Sequence, residues 1–165
     1  MKQTYGLVVL LAAALVTPLI AGQNVPSPVR PNFSGRWRMV KDKSNFGTFH
    51  MPDMIVQQID HHEPTLNIHT VETMANKTNS NDVSYFTNGQ ESQNVISGRD
   101  ATSKAFWDGP ALMIRTDTKD SRGEDVTMED RYELSADKRT LTETSHITTA
   151  LGGEVDMKLV CERER

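Results

Sequence analysis

Residues 126–148 read VTMEDRYELSADKRTLTETSHIT, and the way that string divides decides the fold. Residues 126–134 and 140–148 alternate, and SADKR at 135–139 between them is turn chemistry. A period of two puts successive side chains on opposite faces of a strand. Setting Leu134 opposite Leu141 fixes the register, because a slip of one residue would turn every side chain over. Tyr132 then faces Glu143, Asp130 faces Ser145 and Met128 faces Ile147. The other face carries Glu129 against His146, Arg131 against Thr144 and Glu133 against Thr142. That second face is uniformly polar and belongs outside, so the first face belongs inside.

Working outward from this hairpin, residues 36–40, 54–61, 66–74, 83–87, 92–97, 102–107, 111–116 and 155–163 give further strands. No amphipathic helical period interrupts them. Asn88-Gly89 and Asp108-Gly109 are dipeptides favoured in type I′ hairpin turns. Glu63-Pro64, Ser97-Gly98, Asp120 to Gly123 and Leu151-Gly152-Gly153 punctuate the rest. The expectation is an all-β domain, an antiparallel up-and-down meander of eight to ten strands closed into a barrel. Barrels of this size are filled by side chains or hold one small ligand.

The first residues set the compartment. Lys2 precedes a 15-residue apolar run at 6–20, short of the about 20 that a membrane span requires. Ala21 and Gly22 follow it as small residues. This is the layout of a secretory signal peptide over residues 1–22. Residues 23–31 carry three prolines and read as a linker, and 32–165 as a single barrel domain. The expected location is therefore secreted or periplasmic, with no membrane span after cleavage. Beyond the leader, 17 basic and 22 acidic residues leave a charge of −5. A mildly acidic chain without a basic stripe argues against nucleic acid. The single cysteine, Cys161, continues the alternation of the last strand and reads as a small buried hydrophobe.

The inward acids of the hairpin are the residues with chemical interest, since buried acids must be paired, hydrogen-bonded or wet. They suggest a polar patch made by Asp130, Tyr132, Glu143 and Ser145 beside Met128. Arg115 on the neighbouring strand is a candidate countercharge, and Trp107 lies near if the strands follow chain order. The histidines do not sustain a metal site. Adjacent strand residues point to opposite faces, so His61 and His62 cannot share an ion, and both read as solvated. With His61 opposite Leu66, His69 falls opposite Gln58. No nucleophile motif, phosphate loop or zinc spacing is present, so neither a metal nor another cofactor is expected.

Asn32-Phe33-Ser34-Gly35-Arg36-Trp37 resembles the Asn-Phe-x-Gly-x-Trp opening of the fatty-acid-binding proteins. Phe106-Trp107-Asp108-Gly109-Pro110-Ala111-Leu112 is similar to their strand-turn-strand Trp-Asp-Gly segment. The resemblance covers nearly the whole chain after the leader. It implies a lipocalin or fatty-acid-binding (calycin) barrel, closest in pattern to small secreted bacterial proteins. Phe33 and Trp37 would then plug one end, with Gly35 at a tight bend. Two departures limit the carry-over. Residues 41–53 are too short for the family's helix-turn-helix lid, so no helical lid is expected. The last strand reads Val160-Cys161-Glu162-Arg163, without the Arg-x-Tyr pair that holds a carboxylate.

The functional expectation is a monomeric, non-enzymatic barrel that binds a small, partly apolar molecule in its interior. Tyr132, Trp107, Glu143, Asp130, Arg115 and Met128 are its candidate ligand-binding residues. The alternatives are a protein-binding module, such as a secreted inhibitor, with a filled core, and an enzyme using the inward acids.

Overall fold

Each alternating stretch becomes a strand in the computed structural model, which describes residues 30–165. The leader at 1–22 and most of the linker at 23–31 lie outside the described residues. The strands are β1 (Gly35–Met39), β2 (Met54–His62), β3 (Thr65–Met74), β4 (Lys77–Phe86), β5 (Glu91–Ile96), β6 (Arg99–Asp108), β7 (Ala111–Lys119), β8 (Asp125–Leu134), β9 (Thr140–Thr149) and β10 (Glu154–Arg163). They form one antiparallel sheet in the order β4-β3-β2-β1-β10-β9-β8-β7-β6-β5. Between β8 and β9, Leu134 pairs with Leu141, Tyr132 with Glu143, Asp130 with Ser145 and Met128 with Ile147, the register argued from sequence. The β2–β3 register also holds, with His61 opposite Leu66 and His69 opposite Gln58.

Two local expectations are corrected. β4 begins at Lys77 rather than at 83, because Lys77 to Asp82 is polar throughout and gives no alternation to read. The type I′ signature, positive φ at both central residues, falls at Ala75-Asn76 (48° and 62°) and Ser97-Gly98 (52° and 76°). At Gly109-Pro110 only the glycine has positive φ, 60°, which is the pattern of a II′ turn.

Pairing of Trp37 with Arg163 and of Met39 with Cys161 joins the first strand to the last and curls the sheet round. The segment between β1 and β2 contains one 3-10 turn, Lys41–Lys43, and no longer helix. It lies against β10 through backbone bonds between Asn45 and Lys158 at 2.7 and 2.6 Å. The remaining seam is between β4 and β5, where no backbone ladder runs. Side chains bridge it instead. Asn94 accepts from the Ser84 N–H at 2.8 Å and donates to the Ser84 carbonyl at 3.0 Å, while Ser92 Oγ accepts from the Phe86 N–H at 3.1 Å. These bonds satisfy the edge of β4 at Ser84 and Phe86, the part nearest β5.

One end of the barrel is closed, and the Asn32 to Trp37 stretch closes it. Phe33 and Trp37 are fully buried. Trp37 Nε1 donates to the Phe33 carbonyl at 2.9 Å, which turns the chain under the barrel. The Phe33 N–H donates to His61 Nδ1 at 3.2 Å, and the His61 N–H donates to Ser34 Oγ at 2.9 Å. The rings of Phe33, His61 and Trp107 lie nearly parallel with centroids 5.6 to 6.0 Å apart, and Tyr132 meets Phe33 edge-on at 6.2 Å. Outside this floor the Arg163 guanidinium sits 4.1 Å from the Trp37 ring centroid and donates to the Ser34 and Lys138 carbonyls. Gly35 has φ 143°, and a β-carbon there would stand 2.1 Å from Arg163 Nη1, so the bend needs glycine.

His61 corrects the solvated reading. It is only 2% exposed, because it shares the inward face of β2 with Ile55, Gln57 and Ile59. Its pKa is lowered from 6.5, first by burial and against the pull of Glu63, so the ring is neutral where its Nδ1 accepts from Phe33. Cys161 is buried as expected, with burial pushing its thiol up to about 12.

If the floor carries the fold, Phe33→Ala should cost about 3–5 kcal/mol of unfolding free energy, the range for emptying a buried aromatic site. Phe106→Ala, at an outward position that is half exposed, should stay within about 0.5 kcal/mol. Urea denaturation of the two variants against the parent chain is the measurement, and comparable losses would contradict this account of the floor.

Candidate functional site

Above the floor the barrel is open inside. A cavity of about 620 Å³ occupies the half of the barrel away from Phe33. Tyr132 and Tyr85 stand at its inner limit, with Gln57 and Glu143 beside them and Asp130 and Ser145 one pair further out. Ile55, Ile68, Val83, Met128, Ile147 and Leu159 supply apolar wall, and Phe46 from the segment between β1 and β2 reaches over the mouth side. On the seam side the wall is made by Asn79 to Asn81 of β4 and the Ile96 to Gly98 turn. Volumes of about 300–1,000 Å³, mostly apolar with a few polar groups, are typical of small-molecule sites.

The alternation explains why these side chains meet. Every second residue of β8 and β9 enters the lumen, so the pairs fixed by Leu134 and Leu141 deliver Tyr132, Glu143, Asp130, Ser145, Met128 and Ile147 together. Gln57 comes from the far wall, β2, and its Nε2 donates to Glu143 Oε2 at 3.3 Å across the barrel. Its Oε1 is buried and has no hydrogen-bond partner. Among the described residues the lining contains Glu72, Asp130 and Glu143 and no Lys, Arg or His.

This composition shifts the carboxyls. Burial pushes Glu143 up to about 7, with the Asp130 charge adding to it and hydrogen bonds from Gln57 and Tyr132 opposing. Burial likewise raises Asp130 to about 6, against a hydrogen bond from Ser145. Both carboxyls keep some accessible surface, and that surface faces the lumen. Tyr132 and Tyr85 are raised well above their ordinary value by burial and then by the two acids, so both phenols stay protonated.

Four of the six residues singled out from sequence, Tyr132, Glu143, Asp130 and Met128, stand together in this cavity. Two do not. Arg115 is not a countercharge, because it pairs with Glu129 on the outer face while its neighbour Ile114 takes the inward place opposite Asp130. Trp107 does face inward at the level of Tyr132, but its ring joins the floor against Phe33 and donates to Glu63 Oε1 at 2.9 Å. It lines no part of the cavity. Of the other histidines, His69 pairs with Asp82 at 2.7 Å and His146 with Asp156 at 2.8 Å, both on exposed surface. Gln57 and Tyr85 were missed. The register that sets His61 opposite Leu66 also carries the signal for Gln57, two places from Ile59 on one face.

Fold and cavity together define a ten-stranded antiparallel barrel with a cavity inside it. Known structures bear this out. A secretory abundant heat soluble protein from Ramazzottius varieornatus superposes with a TM-score of 0.57 at 17% identity, over 79% of this chain and 94% of that one. Secretory abundant heat soluble protein 4 from the same organism gives 0.54 at 13%, over 81% and 95%. Apo lipid binding protein 8 from Caenorhabditis elegans gives 0.56 at 13%, over 80% and 95%. At these identities the likeness is one of fold. No family model and no curated protein matches the chain.

The raised Glu143 predicts a pH dependence. Its proton leaves the unfolded chain near 4.5 and the folded chain near 7. Between those values the folded state binds more protons, so stability falls as pH rises through the window. Glu143→Gln removes this loss. Its stability relative to the parent should therefore rise by about 3 kcal/mol between pH of about 4 and about 8. Urea midpoints at both ends test this, and a difference independent of pH would refute it.

Proposed function

We propose that the protein is an exported, non-enzymatic carrier that holds one small, partly apolar molecule in the lumen of a single-chain barrel. The observation that supports this most is the contrast between the ends, a floor sealed by Phe33, Trp37 and His61 beneath an open space of about 620 Å³. A floor of buried side chains gives the ligand a fixed depth. The walls above it combine apolar surface with polar groups, which suits a molecule that is partly apolar. A protein-binding module with a filled interior accounts for the floor and leaves the upper half without a purpose. The barrel's likeness to a lipid binding protein fits the carrier reading.

The neutral dye Nile red tests it. Titration should give saturable fluorescence at one dye per chain. Met128→Trp, which places a large ring on the lumen wall, should weaken binding by about ten-fold or more, an effect of about 1.4 kcal/mol. Arg115→Ala, on the outer face, should leave it unchanged. Equal effects of the two substitutions, or no saturable binding, would rule the carrier out.

Export rests on the leader at residues 1–22. Mass spectrometry of the protein recovered from periplasm or medium should find an N-terminus at or beside Gly22 or Gln23. An intact leader in the membrane fraction would mean an anchored protein instead.

A further inference from the structure

The polar groups of the cavity are unbalanced in a way that selects a ligand. Among the described lining residues three are acids and none is basic, and the donors present are neutral hydroxyls and amides. Glu143 and Asp130 present carboxyl oxygens to the lumen, and Gln57, which is 5% exposed, adds an amide oxygen with no partner. The Gln57 amide can give its N–H to Glu143 at 3.3 Å, which leaves Oε1 as the end that needs a donor. A buried acceptor without a donor is costly, so the arrangement is complete only when something donates to it.

From this, we infer that the ligand's polar end is a protonated amine, so that the protein carries an amphipathic organic cation. The ammonium sits among Glu143, Asp130 and Gln57 Oε1, and the apolar part runs outward past Met128 and Ile68. The inference rests on the carrier reading above and gives it a ligand class. An ammonium has three N–H donors and a unit charge, which matches three acceptors, two of them acids. A hydroxyl brings one donor and no charge. A carboxylate would enter beside acids, with no Lys, Arg or His among the described lining residues to receive it. The upward shifts of Glu143 and Asp130, caused first by burial, are opposed only by hydrogen bonds from neutral groups.

Competition against Nile red separates the possibilities, using the mature chain at pH of about 8, where an alkylamine is still protonated. The probes are dodecylamine, dodecanol and dodecanoate, each below its micelle concentration. Dodecylamine should displace the dye at a concentration about ten-fold or more below that of dodecanol, and dodecanoate should be weakest of the three. In the double variant Asp130→Asn, Glu143→Gln the advantage of the amine over the alcohol should vanish while dodecanol binding persists. Persistence of dodecanol binding also reports that the variant is folded. Displacement by dodecanoate as good as by dodecylamine would overturn the cation assignment and leave the carrier standing, as would an amine preference that survives in the double variant. Failure of Nile red to bind at all would instead overturn the carrier, and this inference with it.

Discussion

A neutral imidazole under the barrel is the constraint on which the rest of the structure depends. His61 ends an inward-facing row on β2, and its Nδ1 is the acceptor for the Phe33 N–H. That one bond, with the reciprocal contact between the His61 backbone and Ser34, holds the Asn32 to Trp37 stretch across the opening. Phe33 can then fill the space beneath Tyr132 and Trp107, and Trp37 can receive Arg163 on its outer side. The fully buried side chains of the floor would face solvent without it, and the cavity above would be a channel rather than a cup.

Desolvation acts on both halves of the interior, with opposite consequences. At the floor it favours the neutral imidazole and lowers the pKa of His61, so the stability this group contributes falls as pH drops below its unfolded value near 6.5. In the cavity it favours neutral carboxyls and raises those of Glu143 and Asp130, so that half loses stability as pH rises. The floor is thus best formed in the less acidic range and the empty cavity in the more acidic one. The two slopes oppose each other at mildly acidic pH, below the unfolded histidine value near 6.5. Filling the polar set from outside would remove the second slope and leave the first.

The architecture was legible in the sequence because alternation, unlike helix amphipathicity, survives in strands that face a lumen on one side and water on the other. The pairing of Leu134 with Leu141 is enough to place Tyr132, Glu143, Asp130 and Met128 on the inner face. Arg115 went wrong for want of the same treatment, since a register on β7 would have sent it to the face of Glu129. His61 was misread because a histidine beside another histidine looks like surface, although its phase with Ile55 and Ile59 pointed inward. Trp107 shows a limit of a different kind. Register gives the face and the height of a residue, but whether its ring turns up into the lumen or down onto Phe33 depends on which neighbour leaves room. The first half of β4 was illegible because both of its faces are polar.

The seam between β4 and β5 carries a consequence for how such a barrel can change over generations. Elsewhere the spacing of strands is dictated by peptide geometry, close to 4.8 Å, and no substitution alters it. At the seam the span is set by the reach of Asn94 and Ser92 to the backbone of Ser84 and Phe86. The girth of the vessel is therefore written partly in side chains. A lineage can let it out or draw it in one residue at a time, while the nine backbone-paired joints and the floor remain as they are.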